Sequence, residues 1–199
     1  MKLIKIAVPV AAIMVLWFFA RPGHAEAQDK STLKTVSSVD LDRYQGKWYE
    51  IAKYPNKFQK KCVGNTSAEY KKKPDGKIEV LNKCVTSDGQ VDEAKGEAKV
   101  VDRSTNAKLK VRFAPAFISF IPAVWGDYWI IDLDPDYRWA VIGDPNREYF
   151  WILGREPAMD DATYQGILRR AESVGFNPAK VEKTPQKVEP LKGAVIERS

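Results

Sequence analysis

Histidine is nearly missing from this chain: there is one in 199 residues, His24. Cysteine stops at two, Cys62 and Cys84, and they are not in a C-x-x-C pair. The alternation of strand and helix that builds parallel sheets is missing as well. No basic stripe carries interleaved aromatics, so nucleic acid is not an expected partner.

The scarcity of histidine matters because of where His24 lies. Lys2 and Lys5 precede an apolar stretch from Ile6 to Ala20, followed by Arg21-Pro22-Gly23 and an A-x-A site at Ala25-Glu26-Ala27. A positive flank, a short apolar core and small residues at the cut describe a secretory signal peptide. The stretch is shorter than the roughly 20 residues that a membrane span needs. Cleavage after Ala25 or Ala27 removes His24. The mature chain then has no Ser-His-Asp or Cys-His nucleophile and no histidine metal site. No metal and no cofactor are expected. No cysteine lies at the cleavage region, so the predicted product is periplasmic or secreted without a lipid anchor, in association with the outer membrane or free of it.

The remaining length suits one domain with extensions. The expected division is a signal peptide over 1–27, a polar lead-in over 28–38, the folded domain over 39–181 and a basic tail over 182–199. Part of that tail is predicted to pair with the domain and part to be disordered. The formal charge of +6 reads as a solvated lysine-rich surface or as attraction to anionic lipid headgroups.

In an exported chain, two cysteines favour a disulfide over a redox pair. Cys62 and Cys84 flank a hairpin that turns at Pro74-Asp75-Gly76, and counting by twos places both at the end away from that turn.

Eight runs read as strands, at about 46–54, 64–72, 77–85, 91–101, 107–113, 127–133, 137–143 and 149–155. Turn residues separate them: Asp88-Gly89, Asp102 to Asn106, Asp134-Pro135-Asp136 and Asp144-Pro145-Asn146. This predicts an all-β, eight-stranded antiparallel up-and-down barrel. Around 91–113 apolar and charged residues alternate, giving one wet face and one buried face. Tyr128 to Ile131 and Tyr149 to Leu153 are apolar on both faces and need an outer cover. Tyr164, Ile167, Leu168, Ala171 and Val174 supply it at helical spacing, after a cap at Asp160 or Asp161 and before a stop at Gly175. A short helical turn over 39–44 is expected to close the base.

Three motifs sit on this frame. Gly46-Lys47-Trp48-Tyr49-Glu50-Ile51-Ala52 opens the first strand, Asp136-Tyr137 lies in the sixth turn, and Arg155 ends the last strand. Arg155 could lie across the Trp48 indole as a cation–π pair. In order and spacing these residues resemble the lipocalin family, in particular the bacterial lipocalins related to apolipoprotein D. The first motif matches Gly-x-Trp and Arg155 matches the third motif. The second, Thr-Asp-Tyr, is met by Asp136-Tyr137 with Pro135 in place of threonine. The resemblance runs from about Val39 to about Pro178. It implies an eight-stranded barrel with one outer helix, in which Gly46, Trp48, Asp136, Tyr137 and Arg155 are structural.

An eight-stranded barrel is filled by side chains or holds one small ligand. The small inward residues Ala94, Gly96 and Ala98 favour a ligand, with Ala52, Tyr54, Val111 and Phe113 as further wall. Ala114 to Trp125 joins the fifth and sixth strands at the end where the cysteines lie. Its two prolines forbid a regular helix or inner strand. Phe117 and Trp125 are candidate ligand contacts if this loop folds down as a lid; alternatively it docks on a partner or a membrane surface. Glu50 shares parity with Trp48 and is expected to face inward, needing a partner or a raised pKa.

The resulting expectation is a non-enzymatic carrier of a small hydrophobic molecule, a fatty acid or lysophospholipid, acting as a monomer or weak dimer. The resemblance implies a role in outer-membrane maintenance or lipid storage. Two alternatives stand beside it: a lipocalin-type isomerase or de-epoxidase, and a protein that docks on membranes or partners through 114–125.

Overall fold

The computed structural model describes residues 33–187; the signal segment, most of the lead-in and residues 188–199 lie outside it. Helix α1 (Leu41–Tyr44) is capped by Asp40, whose carboxylate accepts from the Asp42 and Arg43 amides. Eight strands follow: β1 (Gly46–Lys53), β2 (Cys62–Lys72), β3 (Ile78–Thr86), β4 (Val91–Val100), β5 (Lys108–Arg112), β6 (Gly126–Leu133), β7 (Trp139–Gly143) and β8 (Phe150–Gly154). Helix α2 (Asp161–Ser173) and a two-residue strand β9 (Glu182–Lys183) complete the fold.

Every neighbouring pair is antiparallel, and β1 pairs with both β8 and β2, so the sheet closes on itself. Each predicted strand is present to within two residues. Closure removes the exposed edges of an open sheet. The apolar residues then split between two sides of one wall. Trp48, Tyr70, Val80, Leu109, Ile130 and Ile142 meet inside the barrel. Val141, Phe150 and Ile152 face outward and are covered by Tyr164, Ile167 and Ala171 of α2 together with Phe176. This is the cover that the two-sided strands required. Asp160 caps α2 by accepting from the Thr163 amide at 2.9 Å, and Phe176 folds back onto Phe150 and Tyr54.

Two irregularities correct the expected parity. Glu50 pairs with Leu153 and Ala52 with Ile152, leaving Ile51 as an extra residue in β1. Such a bulge reverses which face the following residues occupy. Ala52 and Tyr54 therefore join the outer cluster under α2 and do not line the interior; the Tyr54 hydroxyl donates to the Asn177 carbonyl. The second irregularity is a seam. β1 and β2 stay paired only as far as Tyr49 and Ser67. Beyond that point the segment 182–186 lies between them: β9 pairs with Ala52 and Lys53, Thr184 N donates to Ile51 O, and Asn65 N donates to Pro185 O. Gln186 Nε2 spans the gap, donating to Glu50 O at 2.7 Å and to Thr66 O at 2.9 Å.

Candidate functional site: the barrel interior and its mouth

The closed end is built on the first and third motifs. Gly46 adopts φ +87, a conformation that strains any side chain, and a Cβ there would sit 3.5 Å from Arg155 Nη1. Beside it the Arg155 guanidinium covers the Trp48 ring at 3.8 Å. Its remaining donors reach Lys47 O at 2.9 Å and Arg43 O at 2.7 Å, while the Trp48 indole donates to Tyr44 O at 2.8 Å. Tyr137 joins this end: its hydroxyl accepts from the Asp40 amide, and Arg43 stacks on its ring at 4.1 Å. Pro135 keeps a place in the floor through its carbonyl, which accepts from Arg43 Nη2. The same turn is held by buried Asp134, which accepts from both the side chain and the backbone of Arg138. Asp136 itself contributes its amide, which donates to Asp134.

Above the floor, exposure changes along the inward faces. Trp48, Ile130, Ala140 and Ile142 are fully buried. Nearer the open end Ala94, Gly96, Val111, Tyr128 and Trp151 all keep accessible surface. The inward face is thus packed tightly at the floor and more loosely towards the mouth, the pattern of a barrel closed at one end and open at the other. Ala98 and Val111 are register partners on the inward face; Ala98 is buried in the inner cluster and Val111 packs against it half-buried. Phe113 faces the same side but takes up room that Gly96 provides: a Cβ at Gly96 would lie 2.7 Å from the Phe113 ring. The small residue makes space for a neighbouring side chain as well as for a guest.

The loop 114–125 does not close over the mouth. The Trp125 indole lies on the outer surface, 4.1 Å from Lys99 Nζ and 5.2 Å from the Arg112 guanidinium, and donates to Ser119 O. Phe117 is 78% exposed and Phe120 80% exposed. Neither Phe117 nor Trp125 is part of the lumen wall. Phe113, Phe117, Phe120 and Ile121 on one side and Phe58, with Lys57 over its ring, on the β1–β2 connection are the exposed apolar residues of the open end.

Glu50 faces the lumen at the seam. Gln59 Nε2 donates to it at 2.5 Å and Thr184 Oγ1 at 2.6 Å. Gln59 in turn accepts from Trp151 Nε1 and Asn56 Nδ2. Burial pushes the Glu50 carboxyl upward, and the bonds from Thr184 and Gln59 and the charge of Lys53 only partly oppose it. The folded chain therefore binds this proton more tightly than the unfolded chain does. Stability contributed by the neutral form is present at low pH and lost as pH rises through the folded-state pKa. Glu50→Gln mimics the neutral form. It is expected to leave stability at neutral pH equal to or above wild type and to flatten its decline above the ordinary carboxylate range. Urea unfolding across pH checks this, and an unchanged slope would contradict it.

Cys62 and Cys84 are joined in a disulfide at the open end, with Cα atoms 5.6 Å apart. Sequence reasoning missed Gln59, Thr184, Gln186 and the inward Lys53. None of the four had a local signal: Lys53 is turned inward by the bulge at Ile51, which leaves the hydropathy pattern unchanged.

A closed antiparallel barrel with a sealed floor, an accessible inner wall and an apolar mouth is the architecture of a protein that encloses small molecules. The chain belongs to the lipocalin family: the lipocalin-like domain model matches residues 39–186. It is 43% identical over 160 residues to temperature-induced lipocalin-1 of Arabidopsis thaliana, covering 79% of this chain and 85% of the relative. It is 36% identical to the outer membrane lipoprotein Blc of Escherichia coli K12, over 73% of this chain and 78% of that protein. Apolipoprotein D of Mus musculus is 34% identical over 75% of this chain and 78% of its own length. Among solved structures, insecticyanin of the tobacco hornworm Manduca sexta superposes with a TM-score of 0.61 at 22% identity, covering 78% of this chain and 85% of that chain; this similarity speaks to the fold. Members of the family are generally binding proteins.

Proposed function

We propose that this protein is an exported carrier that encloses one small hydrophobic molecule, a fatty acid or lysophospholipid, and serves outer-membrane maintenance or lipid storage. The observation that carries this reading is the accessible inner wall above a sealed floor. Apolar surface removed from water there supplies affinity at about 25 cal/mol per Å². Lys53 turns inward near the mouth beside Trp151, its side chain 16% exposed and 3.7 Å from Glu182. It is placed to meet an anionic headgroup. Two features support export to the envelope: the signal-peptide pattern of the sequence, and the similarity to the outer membrane lipoprotein Blc. Both cysteines are held in the disulfide, so neither serves as a thiol nucleophile, and enclosure is favoured over isomerase chemistry. Titration with an environment-sensitive fluorescent fatty acid is expected to saturate at one per chain. Absence of any saturable uptake would overturn the reading.

The apolar rim favours a second activity of the same molecule, contact with a lipid surface. Exposed Phe117 and Phe120, on a loop whose Trp125 stacks with Lys99, suit insertion among anionic headgroups. The Phe117→Ser/Phe120→Ser double variant is expected to lose binding to anionic vesicles at least about fivefold, with an unchanged melting temperature because both rings are exposed. Vesicle binding equal to wild type would rule this contact out.

A further inference from the structure

Three tyrosines from distant parts of the chain meet at the bottom of the lumen. Tyr44 comes from α1, Tyr70 from β2 and Tyr128 from β6. The Tyr128 hydroxyl is 2.8 Å from that of Tyr44 and 2.9 Å from that of Tyr70. The Tyr70 ring stands edge-on to Tyr128 at 6.0 Å, and Tyr44 packs against Trp48 at 5.0 Å. Burial raises all three phenols, Tyr70 to about 12, so they remain neutral.

Three hydroxyls carry three protons, and the two bonds among them use two. Whichever way the chain is oriented, one O–H remains without an acceptor among the described residues. An unspent donor in an apolar enclosure is costly. Tyr128, at the centre of the chain, packs against the inner cluster and is the least buried of the three, which makes it the one that a molecule in the lumen meets first. A second uncommitted polar atom faces the same space. Asn82 Oδ1 on β3 is buried without a hydrogen-bond partner, between the inward residues Ala68 and Ala94.

We propose that the Tyr44–Tyr128–Tyr70 cluster is a polar anchor for the inner end of the ligand, and that the preferred guest is a hydrophobic chain bearing an oxygen at the end that enters first. The free O–H donates to that oxygen. A neutral carbonyl, ether or hydroxyl fits: the charges that reach the cluster are Arg155, behind Trp48, and Glu50 beside Tyr70, whose negative charge disfavours an anion there. A hydroxyl on the ligand can also return its own proton to a tyrosine oxygen. The assignment rests on the carrier reading and narrows it, from any acyl tail to one that is oxygenated at its far end.

The sign of one comparison tests it. In a lumen with an apolar floor, adding a terminal hydroxyl to a fatty acid weakens binding, because the hydroxyl is desolvated without a partner. Over the tyrosine cluster it strengthens binding. Displacement of a bound fluorescent fatty acid is measured with hexadecanoic acid and with ω-hydroxyhexadecanoic acid, on wild type, Tyr128→Phe and Tyr70→Phe. Wild type is expected to prefer the ω-hydroxy acid by roughly three- to tenfold, the range for one added hydrogen bond. Tyr128→Phe, which deletes the central hydroxyl and keeps the ring, is expected to abolish or reverse that preference. Tyr70→Phe carries the test if the first variant fails to fold. Equal or weaker binding of the ω-hydroxy acid by wild type overturns the anchor while leaving the carrier reading intact. A preference retained by the variants overturns it too, since the oxygen is then read elsewhere. Failure of both acids and of the fluorescent probe to bind overturns both readings together.

Discussion

Replacing Trp48 with alanine is expected to destabilise the fold by about 3–5 kcal/mol, the range for removing a large buried aromatic. The ring is fully buried at the start of β1, and three separate interactions depend on it. Its N–H ties α1 to the barrel through Tyr44 O. Its face holds the Arg155 guanidinium, which in turn gathers Lys47 O and Arg43 O. Its ring also packs against Tyr44 in the floor, with centroids 5.0 Å apart. The alanine variant leaves a cavity and exposes a partly buried cation to it. In a chain of this size the loss corresponds to a melting temperature lower by roughly 10 °C or more. Arg155→Ala is expected to cost less, because the indole stays in place and the freed carbonyls lie near the surface. Denaturant unfolding of both variants checks the order, and a Trp48→Ala midpoint close to wild type would contradict the role given to the floor.

Loss of the Cys62–Cys84 bridge is expected to cost about 3 kcal/mol. The bridge closes a loop of sequence separation 22, and constraining a loop of that length removes unfolded-state entropy of about this size. The position adds to the effect. β2 shifts register between Cys62 and Gly64 and again before Ser67, so the ladder is irregular where the bridge holds β2 to β3. The fold should survive reduction, because below this point the two strands pair continuously from Ser67 to Lys72. Urea unfolding of the oxidised protein and of the Cys62→Ser/Cys84→Ser variant measures the difference. Coincident curves would show that the hairpin carries its own closure.

How much of this was legible in the sequence depended on whether a feature leaves a local pattern. Alternation in β4 and β5 fixed their inward faces, so Ala98 and Val111 could be placed by counting. The two-sided apolarity of β6 and β8 required an outer cover, and the spacing in α2 matched it. The Trp48–Arg155 pair was found because a glycine, an indole and an arginine are rare enough to mark both strands. The bulge left no such mark. Ile51 and Ala52 are both apolar, and inserting one between two buried faces changes parity without changing the hydropathy pattern, so Ala52 and Tyr54 were assigned to the wrong side. The seam was hidden for a different reason. Thr184 and Gln186 lie more than a hundred residues from Glu50, and short polar residues in a lysine-rich tail have no distinguishing period. Trp125 looked like a lid residue because it is aromatic and sits at the mouth. Its position outside follows from Lys99 and Arg112, outward neighbours that offer its ring a cationic surface. The tyrosine cluster was not visible: the meeting of three hydroxyls depends on the stagger between β2 and β6, which no single segment encodes.

The central claim is that the lumen holds a small hydrophobic molecule. Native mass spectrometry of the protein purified from its own cells, with lipid extraction of the same sample, tests that claim most directly. The account predicts one bound molecule per chain, released as a lipid with a long apolar chain. A barrel that is reproducibly empty, and that also takes up no fluorescent fatty acid when one is offered, would contradict it.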